Sequence, residues 1–384
     1  MSDSTLAYND AFDSGGGAYI QGGTNTIERC IIIGNTSDTA AGIGVVNVTS
    51  MAINDSHFEG NSADSFGGGI SIHGSTTLTN VTFYNNNGPH GGGGISVGGY
   101  WEEYRTANLV NVTLVNNHAH ISGGGFGGGI HVGYRGIANL DHVTLAENTA
   151  NSGNALFANY GSLTAISSII SDNADGNVCN FDNGGALTTN GYNLGSDSSC
   201  NLDVNDQVDV TDMHFGSFGD HGGLTQTLSI LRGSPVIDYG NPTDPAGRLD
   251  QRGIALYDGD WNGSALSDSG AFEYINIPPQ AVDDSYSTIL GAPLIIDATN
   301  GLLANDTDAD GETLTAVLVN GPDPSQGTLV LAADGSFLFT PAGHFIGDAT
   351  FTYSASDGGE TSPATLVTIH VTGHPAYLPV IING

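Results

Sequence analysis

Seven asparagines recur along the first half of the chain: Asn9, Asn35, Asn61, Asn86, Asn117, Asn148 and Asn173. Their intervals are about 25 residues, two of them stretched to 31. Each follows an apolar residue three positions earlier, in order Leu6, Ile32, Phe58, Phe83, Leu114, Leu145 and Ile170. A second beat falls between them, a small or glycine pair leading into an apolar run. It is seen in Gly16-Gly17-Ala18, Gly68-Gly69-Ile70, Gly93-Gly94-Ile95 and Gly128-Gly129-Ile130, with Ala41-Gly42-Ile43 and Gly153-Asn154-Ala155 as variants. A fixed period of this size means stacked structural units, each unable to bury its apolar face alone.

Within a unit the apolar residues fall at period 2 or 3, as in Leu78, Val81 and Phe83 or Leu109, Val112 and Leu114. That alternation reads as short strands, and no stretch offers a helical face. Short strands, glycine-rich corners and this period predict one coil of a parallel β-helix per unit. Seven coils at about 4.8 Å make a rod roughly 35 Å long. The asparagines are expected to hydrogen-bond from coil to coil, as amide ladders do in stacked strands. The glycine pairs are expected to give the corners backbone freedom. Cys30 sits where other coils carry Val81, Val112 and Val143, a buried small hydrophobe.

Gly68-Gly69-Ile70 with Phe58-Glu59-Gly60-Asn61, and Gly93-Gly94-Ile95 with Phe83-Tyr84-Asn85-Asn86, resemble the repeat of polymorphic outer-membrane proteins. The resemblance covers residues 1–178 and implies a right-handed, pectin-lyase-like parallel β-helix. That fold hosts lyases, adhesins and passive stalks, so activity does not follow from it.

Six arginines, no lysine and 40 acidic residues give a net charge of −34. Nucleic-acid partners need a basic surface, so that class is excluded, as are anionic membranes. A secreted protein bathed in divalent cations fits. No run is long and apolar enough for a membrane span. Met1 lies only five residues before Leu6, so the first coil opens in mid-unit. The expectation is an extracellular or cell-surface protein, exported with a leader that this chain lacks.

After Asn173 the period lapses. Cys179 and Cys200 flank a glycine- and asparagine-rich loop; a disulfide between them stabilises by roughly 3 kcal/mol on chain-entropy grounds, the alternative being two free thiols. The ordered stretches Gly191-Tyr192-Asn193-Leu194, Gly222-Gly223-Leu224-Thr225-Gln226-Thr227, Gly233-Ser234-Pro235-Val236-Ile237-Asp238, Asp250-Gln251-Arg252-Gly253 and Asp268-Ser269-Gly270-Ala271-Phe272-Glu273-Tyr274 resemble the choice-of-anchor Q segment of secreted β-helix proteins. The resemblance implies an extracellular protein with variable surface attachment and no known catalysis. Asp238, Arg252 and Glu273 read as a buried ion-pair network closing the coils. Residues 179–275 are thus a closing segment and 276–280 a stiff, proline-bearing linker.

Residues 281–372 alternate like strands between tight turns and predict a β-sandwich. Ala281-Val282-Asp283-Asp284, Leu303-Ala304-Asn305-Asp306 and Asp334-Gly335-Ser336-Phe337 resemble cadherin-like and bacterial immunoglobulin-like modules. The fold class expected is all-β, a parallel β-helix plus this sandwich. Asp306, Asp308 and Asp310 before Gly311 copy the first half of a calcium loop. An EF-hand needs glutamate at the twelfth position, where Val317 stands. A looser calcium site remains, with Asp283, Asp284 and Asp357 as further ligands; Asp-Gly turns without metal are the alternative. Asp258-Gly259-Asp260 is a poorer candidate.

The two long repeats are adjacent. One insertion carries Tyr100, Trp101, Tyr104 and Arg105, rings fit to stack on an extracellular glycan; a loop folded over its own coil is the alternative. The second spans His118–Phe126, and His118, His120, His131 and His142 read as surface histidines rather than a zinc site. Residues 373–384 form an apolar tail in which Tyr377, Leu378, Val380, Ile381 and Ile382 can add a strand to the open coil edge of another copy. The function expected is a secreted, non-enzymatic structural or adhesive protein, assembling head-to-tail into filaments with itself as partner. A carbohydrate-binding adhesin is the first alternative and a calcium-dependent polysaccharide lyase the second.

Overall fold

The computed structural model describes residues 1–98, 103–120, 124–172, 176–245, 247–255, 266–309 and 311–373. Two compact units divide the chain, Met1–Ile275 and Asn276–Gly384.

The first unit is a parallel β-helix, its strands in long parallel sheets running up the stack. Seven strands from Ala18–Gln21 to Cys179–Asp182 form one of them. The predicted register holds at residue level. Leu6 pairs with Ile32, Ile32 with Phe58, Phe58 with Phe83, Phe83 with Leu114, Leu114 with Leu145, and Leu145 with Ile170. On the seven-stranded sheet Ala18, Ile43, Ile70, Ile95, Ile130 and Leu156 stack in the same way. These rows merge into one core, with the Phe58 and Phe83 rings stacked 4.6 Å apart. Stacking continues past Asn173, where the spacing lapses, through Ala186–Thr189 and Leu194–Gly195. Asn173 itself lies outside the described residues.

The asparagine ladder is continuous from Asn9 to Asn148. Each side-chain amide donates to the amide oxygen one coil on, at 2.8 to 3.0 Å. From Asn35 to Asn148 each also donates to the carbonyl of the apolar residue one coil back, in order Leu6, Ile32, Phe58, Phe83 and Leu114. Asparagine three residues after the apolar position therefore satisfies corner groups that would otherwise be buried without partners.

The glycine pairs work differently from the expectation. Backbone freedom is used one residue earlier, at Gly67, Gly92 and Gly127, with φ of 68°, 66° and 62°. The pair itself is demanded by contact between coils. A Cβ on Gly128 would lie 2.5 Å from the Thr149 carbonyl oxygen, and one on Gly93 2.5 Å from that of Gly128.

The described residues between 215 and 274 cover one outward row of the stack, Thr82, Thr113 and Thr144. Gln251 lies buried at the centre, donating from Nε2 to Thr82 Oγ1 and Thr225 Oγ1 at 2.8 Å each. Its Oε1 accepts from Thr113 Oγ1 at 2.7 Å. Ala271 N donates to Thr144 Oγ1, and Leu228 packs on Val115 and Ala146.

The second unit is a sandwich. One sheet orders Asp284–Ile289, Thr365–Thr372, Gly347–Ser356 and Thr315–Asn320; the other orders Leu294–Ile296, Phe337–Pro341 and Gly327–Leu331. Phe337, Phe339, Phe351, Tyr353, Val367 and Ile369 fill the space between them.

Candidate functional site

The strongest candidate lies in the second unit, where Asp308, Glu312 and Asp357 bring one carboxylate oxygen each within 4.8 Å of one another. Asp308 follows the bridge between Thr307 and Gln280, and Glu312 N reaches back to Asp308 Oδ1 at 3.4 Å. Asp357 comes from the far end of the strand Gly347–Ser356. Its Oδ1 accepts from Gly359 N and Glu360 N at 2.6 and 2.7 Å, which fixes the carboxylate, and its Oδ2 accepts from Asn276 Nδ2. Three half-buried carboxylates thus gather in a unit without lysine or arginine. Hard oxygen donors of this kind suit a hard divalent cation such as calcium, so the donor set fits the metal.

The other acidic candidates divide from this group. Asp306 faces the core: its carboxylate accepts from Val282 N at 2.9 Å and from the Tyr353 hydroxyl at 2.9 Å. Burial raises its pKa. Asp284 is pushed up to about 6 by burial and then by the charge of Asp306. Burial, followed by the Asp306 hydrogen bond, pushes the Tyr353 phenol up as well. Asp283 is exposed, its Oδ1 accepting from Leu366 N. Asp310 and Asp258-Gly259-Asp260 lie outside the described residues. Glu312 was not anticipated, because the EF-hand spacing directs attention to position twelve and Glu312 directly follows Gly311.

In the first unit, Cys179 and Cys200 form a disulfide with S–S of 1.99 Å, and Cys30 is buried and free. Tyr100 and Trp101 lie outside the described residues, as do the tail residues Tyr377, Leu378, Val380, Ile381 and Ile382. Tyr104 is exposed, with the Arg135 guanidinium 5.8 Å from its ring. Arg105 is buried and turned away from solvent, bonding Asn47 Oδ1 at 3.1 Å and Glu103 at 3.3 Å. The expectation of surface histidines holds for His120, which is exposed, but His118 and His131 are half-buried and His142 is buried. His118 bonds Thr149, His142 bridges Asp141 and Asp244, and His131 lies beside Phe157. Of Asp238, Arg252 and Glu273, the arginine pairs with buried Asp250 at 2.7 Å and lies 3.5 Å over the Phe272 ring. Burial, then the nearby Glu273, drives the Asp268 carboxyl well above its ordinary range.

Residues 276–373 match the family of bacterial cadherin-like domains. No curated protein matches the chain significantly. Such domains are typical of extracellular proteins and point to a cell-surface adhesive or structural role. Among the described residues no helix is long and apolar enough to cross a membrane.

Proposed function

We propose that the chain is an exported cell-surface protein with an adhesive or structural role, in which the coil stack is a stiff element and calcium sets the cadherin-like unit. The observation that carries this reading is the convergence of Asp308, Glu312 and Asp357 inside a bacterial cadherin-like domain. The Cys179–Cys200 bridge adds support, since disulfides persist in oxidising compartments. The resemblances of residues 1–178 to polymorphic outer-membrane repeats and of 179–275 to the choice-of-anchor Q segment point the same way. Catalysis is not part of the reading, because the Arg252 cluster is spent on buried pairing. An unsaturated-uronate absorbance growing on incubation with polygalacturonate and calcium would replace it with the lyase.

Calcium binding to the folded state raises stability by mass action, by about 1.4 kcal/mol at ten times the dissociation constant. Extracellular modules bind at about 10⁻⁴–10⁻³ M. In calorimetry of the full chain, millimolar calcium should move the transition of the second unit upwards and leave that of the first in place. Glu312→Gln should remove most of the shift. No shift with calcium, or an equal shift in Glu312→Gln, sinks the calcium reading.

Head-to-tail assembly is the finer form of the proposal. Among the described residues the strands Thr5–Ala7, Asp10–Ser14 and Ala18–Gln21 each have a neighbour on one side only, and such edges can take an added strand. Residues 377–382 would supply it. Deletion of 375–384 should abolish polymers seen by electron microscopy while both calorimetric transitions persist; polymers that survive the deletion remove this form of the reading.

A further inference from the structure

The seven-stranded sheet carries a hollow that the sequence analysis did not assign. Along its outward row the residues in register are Tyr19, Gly44, Ser71, Ser96, His131 and Phe157. Glycine and two serines between aromatic residues leave the middle of the face dished. The row spans five coil spacings, about 24 Å. Two further rings stand where the chain enters the strands, Phe126 at 4.6 Å from Phe157 and Phe66 at 5.4 Å from His131. Where the chain leaves them, Tyr134 and Tyr160 meet edge to face at 6.1 Å. These residues line one continuous groove of ≈ 590 Å³, the size of a ligand site.

We propose that this groove binds a neutral oligosaccharide, seated along the stack with its sugar faces on the open rings of Tyr19, Tyr134 and Tyr160. Its charge selects that class. Among the described residues no arginine lines it, and Asp13 is its one carboxylate. Burial lowers the His131 pKa to about 4, and burial with the charge of Arg105 lowers that of His73, so both rings are neutral at pH 7. An acidic glycan would meet one guanidinium at the rim, that of Arg135 at 5.2 Å from the Tyr134 ring, against the repulsion of a protein of net charge −34. The serine hydroxyls, the imidazoles and the Asn159 amide supply the donors and acceptors that sugar hydroxyls need. Across the floor a peptide added as a strand finds no edge, because the strands carrying Gly44, Ser71 and Ser96 pair on both sides; the open edge of Ala18–Gln21 lies at the Tyr19 end of the groove.

The test is titration calorimetry of the full chain against neutral hexasaccharides of β-1,4-, β-1,3- and α-1,4-linked glucose, β-1,4-linked mannose and β-1,4-linked xylose. At least one should bind, and Tyr134→Ala and Tyr160→Ala should each weaken it about tenfold, equivalent to ~1.4 kcal/mol. Both rings are about half exposed, at 48% and 57%, so their removal leaves the core intact. Binding should persist in a chelator, which separates this result from the calcium test of the second unit. Failure of every hexasaccharide overturns the proposal, as does unchanged binding in both variants. Tighter binding of oligogalacturonate, or displacement of the sugar by a synthetic peptide of residues 375–384, overturns it equally.

Discussion

Asn117→Ala should cost the first unit ~3–5 kcal/mol, among the largest single-residue losses available in this chain. Asn117 is fully buried in the middle of the ladder. Its side-chain oxygen accepts from both the backbone N and Nδ2 of Asn86, at 3.0 Å each. Its own amide donates to Asn148 Oδ1 at 2.9 Å and to the Phe83 carbonyl at 3.0 Å. Alanine therefore leaves two donors of Asn86 without an acceptor, and the Phe83 carbonyl loses its side-chain donor. A buried polar group left unsatisfied costs about 1–3 kcal/mol, so two or more give the stated range. Asn9 is the control, because it is exposed and donates to Asn35 without accepting from a further coil. Asn9→Ala should cost under about 1 kcal/mol. Urea unfolding of both variants, followed through the transition of the first unit, checks the contrast. Equal losses at the two positions would mean that the ladder is a by-product of stacking rather than a support for it.

The coil stack was legible because a repeat fixes register. Once Leu6, Ile32 and Phe58 are placed one coil apart, every pairing along that row follows, and the observed partners match it. The reason for the glycine pairs was not legible. A sequence shows that Gly93 and Gly128 recur, but not that each lies against the backbone of the next coil, which is a distance between units. Ala40 and Ala41 occupy the equivalent corner of one coil, Ala40 with φ of 55°, so glycine is not demanded at every coil.

The acidic site was legible in part for a related reason. Asp308 belongs to an alternating run that any reading of calcium loops selects. Asp357 arrives from the end of a strand 49 residues further on, and its place beside Asp308 is set by the sandwich. Asp306 shares the run yet turns to Tyr353; residues two apart in a regular strand would share one face, and the chain around Thr307 is a bend with a single bridge rather than a strand. In the groove the informative residues are the small ones. Gly44, Ser71 and Ser96 look like ordinary polar positions until their register with Tyr19, His131 and Phe157 shows that they form its floor.

Gln251→Leu should loosen the closing segment from the stack at a cost of ~3 kcal/mol or more. All the polar capacity of Gln251 is used between two parts of the first unit. Nε2 donates to Thr82 and Thr225, while Oε1 accepts from Thr113. Leucine keeps similar bulk but offers none of these bonds. The Thr113 hydroxyl loses its acceptor inside a buried contact, and Thr82 and Thr225 lose a donor. Each such loss costs about 1–3 kcal/mol. The neighbouring Arg252 should hold its own contacts to Asp250 and Phe272, so the segment is expected to open locally rather than unfold with the stack. Hydrogen exchange separates the two outcomes. Amides of Thr227–Ile230, which pair with Phe215–Gly219, should exchange faster in the variant, while those of Arg105–Val115 keep their protection. Faster exchange in both strands would show that the segment and the coils fold as one cooperative unit. Unchanged exchange in Thr227–Ile230 would place the energy of closure in the apolar contacts of Leu228 instead of in the glutamine.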